Sequence, residues 1–109
     1  MQNRFDISQV ERDKVMRTFF RNGRLLAFPA REKKKLIVLE RFCQLFGRGH
    51  SYTEKQVNEL IEPLYHDYVT IRRYLVDYGY FERRRDGSEY RVVGRWPLGS
   101  AGESPNMRE

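Results

Sequence analysis

Residues 52–90 read YTEKQVNELIEPLYHDYVTIRRYLVDYGYFERRRDGSEY, and the fold turns on how this stretch is parsed. Thr53 followed by Gln56 is a capping box, in which hydroxyl and amide satisfy each other's free backbone N–H groups at a helix start. Val57, Leu60 and Ile61 then recur at helical spacing. Pro63 stops that helix, because it has no N–H to donate and pushes Glu62 toward an extended conformation. Asp67 is the expected cap of a second helix. Tyr68, Ile71, Leu75 and Tyr78 form its core face, and Thr70, Arg73, Tyr74 and Asp77 its outer face, with Arg72 toward one side. Gly79 stands where a C′ glycine belongs. Tyr80–Arg85 and Ser88–Val93 then flank Asp86-Gly87, a dipeptide suited to the positive φ angles of a tight hairpin turn.

Helix, turn, helix, hairpin is the order of a winged helix-turn-helix, in which the second helix enters a major groove and the hairpin flanks it. The same order also serves protein-interaction and dimerisation modules, so order by itself is an analogy of fold.

Working outward toward the N-terminus, Ala30 to Phe46 gives the clearest helical pattern. Leu36, Leu39, Cys43 and Phe46 share a face, widened by Val38, Phe42 and Leu45. Its opening run, Arg31-Glu32-Lys33-Lys34-Lys35, opposes the helix macrodipole. Exposed charges of that kind cost about 0.3–1 kcal/mol each, which suggests a use such as phosphate contact, although a charge run is more often a solvated face. His50-Ser51-Tyr52 suits a one-step strand paired with the hairpin. Leu25-Leu26-Ala27-Phe28 is too short for periodicity to decide between strand and extended staple. Before it, Ser8 and Glu11 make a second capping box after a loose start from Met1 to Ile7. Val10, Val15, Met16, Phe19 and Phe20 continue a helix to about Arg21, and Asn22-Gly23 ends it. That helix is expected to cover an open side of the domain; a self-association surface at Phe19 and Phe20 is the sharper alternative.

The chain is expected to divide into an N-terminal helical extension (1–23), a winged helix-turn-helix domain (24–93) and a disordered tail (94–109). In the tail, glycine and proline accumulate around Trp96 and Leu98. The expected fold class is mainly α with a small β-hairpin. At 109 residues there is material for one core.

The formal net charge of +6 suits a polyanionic partner. Its distribution is uneven: residues 1–55 hold 13 Lys or Arg against 6 Asp or Glu, and residues 56–109 hold 8 against 9. A footprint on phosphates therefore needs the N-terminal half. A single cysteine cannot form an internal disulfide, and no apolar run spans a bilayer, so the cytoplasm is the expected location. His50, His66 and Cys43 lack metal-ligand spacing. No nucleotide-type glycine loop and no acid/base pair is visible, so neither an enzyme nor a cofactor is expected.

The segments FPAREKKKLIVLERF, YTEKQVNELI, YHDYVTIRRYLVDYGYFER and RDGSEY together resemble an uncharacterised bacterial domain family, over roughly Arg24 to Tyr90. Its members occur alone or behind ArsR-type helix-turn-helix regulators. The resemblance implies a transcriptional-regulator-like fold and context, and names no activity. The TIRRYL stretch is also similar to TVRRDL of DeoR-type winged helices, which implies Thr70, Arg72 and Arg73 as readers and Ile71 and Leu75 as core. One departure is Arg91, where the family often has another aromatic; the second strand of the wing is expected to pack less as a result. Duplex DNA is the expected partner, with Thr70, Arg72, Arg73 and Tyr74 on the reading helix. Arg83, Arg84 and Arg85 on the wing and Lys33, Lys34 and Lys35 meet the backbone. The alternative is a protein-interaction or dimerisation module, and a homodimer stays open. The sequence names no small-molecule effector.

Overall fold

The computed structural model describes residues 7–93. The order is α1 (Gln9–Phe19), β1 (Phe20–Arg21), β2 (Arg24–Leu25), α2 (Glu32–Cys43), β3 (Ser51–Tyr52), α3 (Glu54–Ile61), α4 (Tyr68–Asp77), β4 (Phe81–Arg83) and β5 (Tyr90–Val92). The domain is α+β, with four helices and two small antiparallel sheets. The tail from 94 onward lies outside the described residues.

α2 is the central helix. Leu36, Ile37, Val38 and Leu39 are buried in succession, followed by Phe42 and Cys43. A helix apolar on nearly every side must be wrapped by other elements. The Cys43 thiol is buried among them, and burial pushes its pKa well above the ordinary range. Glu40 is the exception on this helix. It is 4% exposed, and Arg12 from α1 reaches it with two hydrogen bonds, Nε to Oε1 at 3.1 Å and Nη2 to Oε2 at 3.2 Å. Arg12 Nη1 also donates to the Ile7 carbonyl at 2.9 Å. This ion pair keys α1 into the core, and Ile7 is buried with it, contrary to the loose start expected to include it; residues 1–6 lie outside the described residues. Phe20 is buried and Phe19 packs against the core, so α1 does cover a side of the domain. Val10, expected among its apolar positions, is 73% exposed.

Asn22-Gly23 does more than end a helix. Both residues have positive φ, 52° and 80°, and they close a two-residue hairpin that pairs Phe20 with Leu25 and Arg21 with Arg24. Leu25 N–H donates to the Leu64 carbonyl at 2.7 Å, anchoring this hairpin to the chain after α3.

Both capping boxes form, at Ser8/Glu11 and Thr53/Gln56. Val57 and Ile61 of α3 are fully buried, whereas Leu60, expected beside them, lies on the exposed side. Ile71 and Leu75 of α4 are fully buried as expected. Gly79 ends α4 at φ 84°, where Tyr80 N–H reaches the Leu75 carbonyl and Gly79 N–H the Val76 carbonyl, a Schellman closure.

β3, β5 and β4 form the second sheet in that order, with Tyr52 opposite Tyr90 and Phe81 opposite Val92. Phe81, Tyr90 and Val92 face the core, and Glu82 and Arg91 face outward. Alternation therefore places Arg91 outside at no cost to packing, and β5 is buried on its inner face, contrary to the expected looseness. The turn joining β4 to β5 is wider than a two-residue hairpin. Arg84 N–H donates to the Glu89 carbonyl and Gly87 N–H to the Arg84 carbonyl, and within Asp86-Gly87 only Gly87 has positive φ. Asp86 instead accepts from the Ser88 N–H at 2.9 Å and hydroxyl at 2.7 Å.

Candidate nucleic-acid interface

α4 starts where Asp67 can cap it. The Asp67 carboxylate accepts from Thr70 N–H at 3.3 Å and from the Thr70 hydroxyl at 2.7 Å. Those bonds, the hydroxyl's first, hold its pKa below the usual carboxylate range. The Thr70 hydroxyl is thereby committed to the cap. Beyond it, Val69, Arg73 and Asp77 are exposed at i, i+4 and i+8, one stripe along the outer side. Arg73 has no hydrogen-bond or ionic partner among the described residues.

Arg72 is placed differently. Its side chain is 14% exposed, with Nη2 3.4 Å from Glu54 Oε2 and Nη1 donating to Asn58 Oδ1 at 2.5 Å. Glu54 Oε1 accepts from the Tyr90 hydroxyl at 3.3 Å. The same carboxylate stands against the hairpin turn: a Cβ built on Gly87 would lie 3.5 Å from it. Glu54 thus joins α4, the start of α3 and the β4–β5 hairpin in one polar cluster. Neither Glu54 nor Asn58 was expected to have a role from sequence; their i, i+4 spacing on the polar side of α3 was the available signal.

Tyr74 is committed to packing. Its ring stacks on Phe28 at 4.9 Å and 12°, and the Lys35 ammonium lies 5.5 Å from its centroid. Lys33 Nζ donates to Glu11 Oε2 at 2.8 Å, and Lys34 Nζ lies 5.8 Å from the Phe19 centroid. The three lysines therefore contact α1 and Tyr74.

On the hairpin, Arg83, Arg84, Arg85 and Arg91 are all exposed. Glu89 lies 3.5 Å from Arg84 and 3.4 Å from Arg91, and Ser51 donates to it from β3. The Ser51 bond first, then the Arg91 bond, lowers the Glu89 pKa, so the carboxylate stays charged between two arginines. Arg83 and Arg85 have no ionic partner among the described residues. The structure thus gathers Arg72 and the hairpin turn around Glu54, projects Arg73 and the hairpin arginines outward, and sets Lys33 against Glu11, Lys34 beside Phe19 and Lys35 beside Tyr74.

A sequence profile for the family described as "uncharacterized protein conserved in bacteria (DUF2087)" matches residues 24–92. The chain belongs to this family. The DUF2087 match takes in α2 to β5 and begins inside the first hairpin, leaving α1 outside it. No curated protein and no solved structure matched the chain. Among the described residues no helix is long and apolar enough to cross a membrane.

Proposed function

We propose that this DUF2087 chain is a duplex-DNA-binding domain of winged helix-turn-helix type that acts in transcriptional regulation. α4 enters the major groove and the β4–β5 hairpin serves as the wing. The observation that carries this reading is the pairing of an outward, unpartnered Arg73 on α4 with an arginine-rich hairpin that Glu54 ties to the same helix. In this reading Arg73 is the base reader, because a guanidinium can make two hydrogen bonds to a guanine edge. Arg83, Arg84 and Arg85 contact phosphates and add affinity with little sequence information. Arg72 positions α4 through Asn58 and Glu54, and Thr70 completes the cap. Lys33, paired with Glu11, and Lys35, beside the Tyr74 ring, can add only long-range field unless their present contacts open.

Selection of bound sequences from a random duplex pool tests this. Enrichment of a motif that Arg73→Ala blurs at one base pair supports the reading. A pool that stays random at low salt overturns it. The second reading, a protein-interaction module, is favoured by the exposed Leu60 and Val69 and by Glu59 and Glu62 on the outer side of α3, which repel phosphate.

A further inference from the structure

A groove of about 290 Å³ runs between α1 and α2, away from the arginine hairpin. Its floor is apolar, made by Val15, Phe19 and Ile37. Lysines 14, 33 and 34 line it together with one carboxylate, Glu11. That carboxylate is already spent: Ser8 N–H donates to Oε1 at 2.9 Å and Lys33 Nζ to Oε2 at 2.8 Å. Lys14 and Lys34 have no carboxylate partner among the described residues. Lys34 is held with its ammonium 5.8 Å from the Phe19 ring centroid, so one of these charges stands directly over the apolar floor.

Small-molecule sites are concave and mostly apolar, with a few placed polar groups, and this volume is at the small end of their range. Two lysines without a carboxylate partner among the described residues, one with its ammonium over the apolar floor and one on the groove wall, complement an anionic head on an apolar body. A free phosphate would leave the floor uncovered. A neutral hydrocarbon would displace water from both ammoniums without replacing its hydrogen bonds.

We propose that the α1–α2 groove binds a small organic carboxylate, its ring or short chain on Val15, Phe19 and Ile37 and its carboxylate between Lys14 and Lys34. Half of this site comes from α1, outside the stretch matched to DUF2087, and half from α2, inside it. It stands independently of the DNA reading.

The test is a titration of the full chain with 2-naphthoate, followed by amide shifts in ¹⁵N-labelled protein without DNA. The expected result is saturable shifts at Val15, Phe19, Lys34 and Ile37 with a Kd of about 1 mM or below. The neutral isostere 2-naphthalenemethanol, and 2-naphthoate with the Lys14→Gln, Lys34→Gln double variant, should each bind at least about tenfold more weakly. The Lys→Arg pair should retain binding. Equal binding of the alcohol to wild-type protein would overturn the proposal, and that comparison holds even if a variant misfolds. Shifts that never saturate, or that map outside the groove, would overturn it as well.

Discussion

Replacing Arg12 by Met is expected to be among the most destabilising single changes outside the apolar core. The side chain gives two hydrogen bonds to Glu40 and one to the Ile7 carbonyl, and its own exposure is only 15%. Its loss takes two charge-assisted hydrogen bonds from a carboxylate that is almost wholly out of water. Breaking a buried pair by removing one partner costs about 3–5 kcal/mol, because the remaining charge keeps its desolvation penalty. Domains of this size have only about 5–15 kcal/mol in total. One kcal/mol moves the melting temperature of a 60–100-residue domain by about 4–8 °C, so a fall of at least about 12 °C is expected. The Arg12→Met, Glu40→Met double variant removes both charges and should recover much of that loss. Urea unfolding of the four proteins of the cycle reads the coupling. A cost under about 1 kcal/mol for Arg12→Met, or a double variant as unstable as the sum of the singles, would refute the buried ion pair as the key between α1 and α2.

Three further outcomes are expected. The Tyr80 hydroxyl is buried with no hydrogen-bond partner among the described residues, so Tyr80→Phe should leave the melting temperature unchanged or raise it; a fall of several degrees would reveal a partner. Arg72→Ala removes the hydrogen bond to Asn58 and the ion pair with Glu54, leaving Glu54 the Tyr90 hydroxyl, and should cost about 1.5–3 kcal/mol in urea unfolding; a neutral result would dissolve the Glu54 cluster. The folded pKa values of Glu11, Asp67, Asp86 and Glu89 lie below their unfolded values, so their contribution is complete above about pH 5. It is lost as pH falls below about 4 and through the lowered folded values, and stability that stays flat or rises on acidification to about pH 2 would contradict these bonds.

Local chemistry made much of the fold legible. Ser8 with Glu11, Thr53 with Gln56, Asp67 and Gly79 each act within a few residues of themselves, and each forms the cap its type and spacing imply. Ile71 and Leu75 needed only helical periodicity. What escaped was long-range or two-valued. Glu40 looked like one more surface carboxylate because its partner lies 28 residues earlier on another helix. Asn22-Gly23 fits a helix end and a hairpin turn equally well, and the choice depends on Leu25 finding the Leu64 carbonyl. Val10 and Leu60 continue an apolar period where no neighbour among the described residues buries them. At the candidate site the arginine-rich hairpin was readable from its run beside Asp86-Gly87. Neighbouring Arg72 and Arg73 were indistinguishable by residue type; a 100° step around the helix turns one to α3 and the other to solvent.

The central claim, that α4 and its wing bind duplex DNA, is tested most directly by fluorescence anisotropy of a selected duplex against salt, for wild-type protein, Arg73→Ala and Arg84→Ala. The expected result is log affinity falling linearly with log salt. Arg84→Ala should lower that slope by about one unit on every duplex, and Arg73→Ala should cost about 1–3 kcal/mol of discrimination at one base pair. If no duplex binds wild-type protein more tightly than it binds folded Arg73→Ala at low salt, α4 is not a reading helix, and its exposed stripe belongs to a protein partner instead.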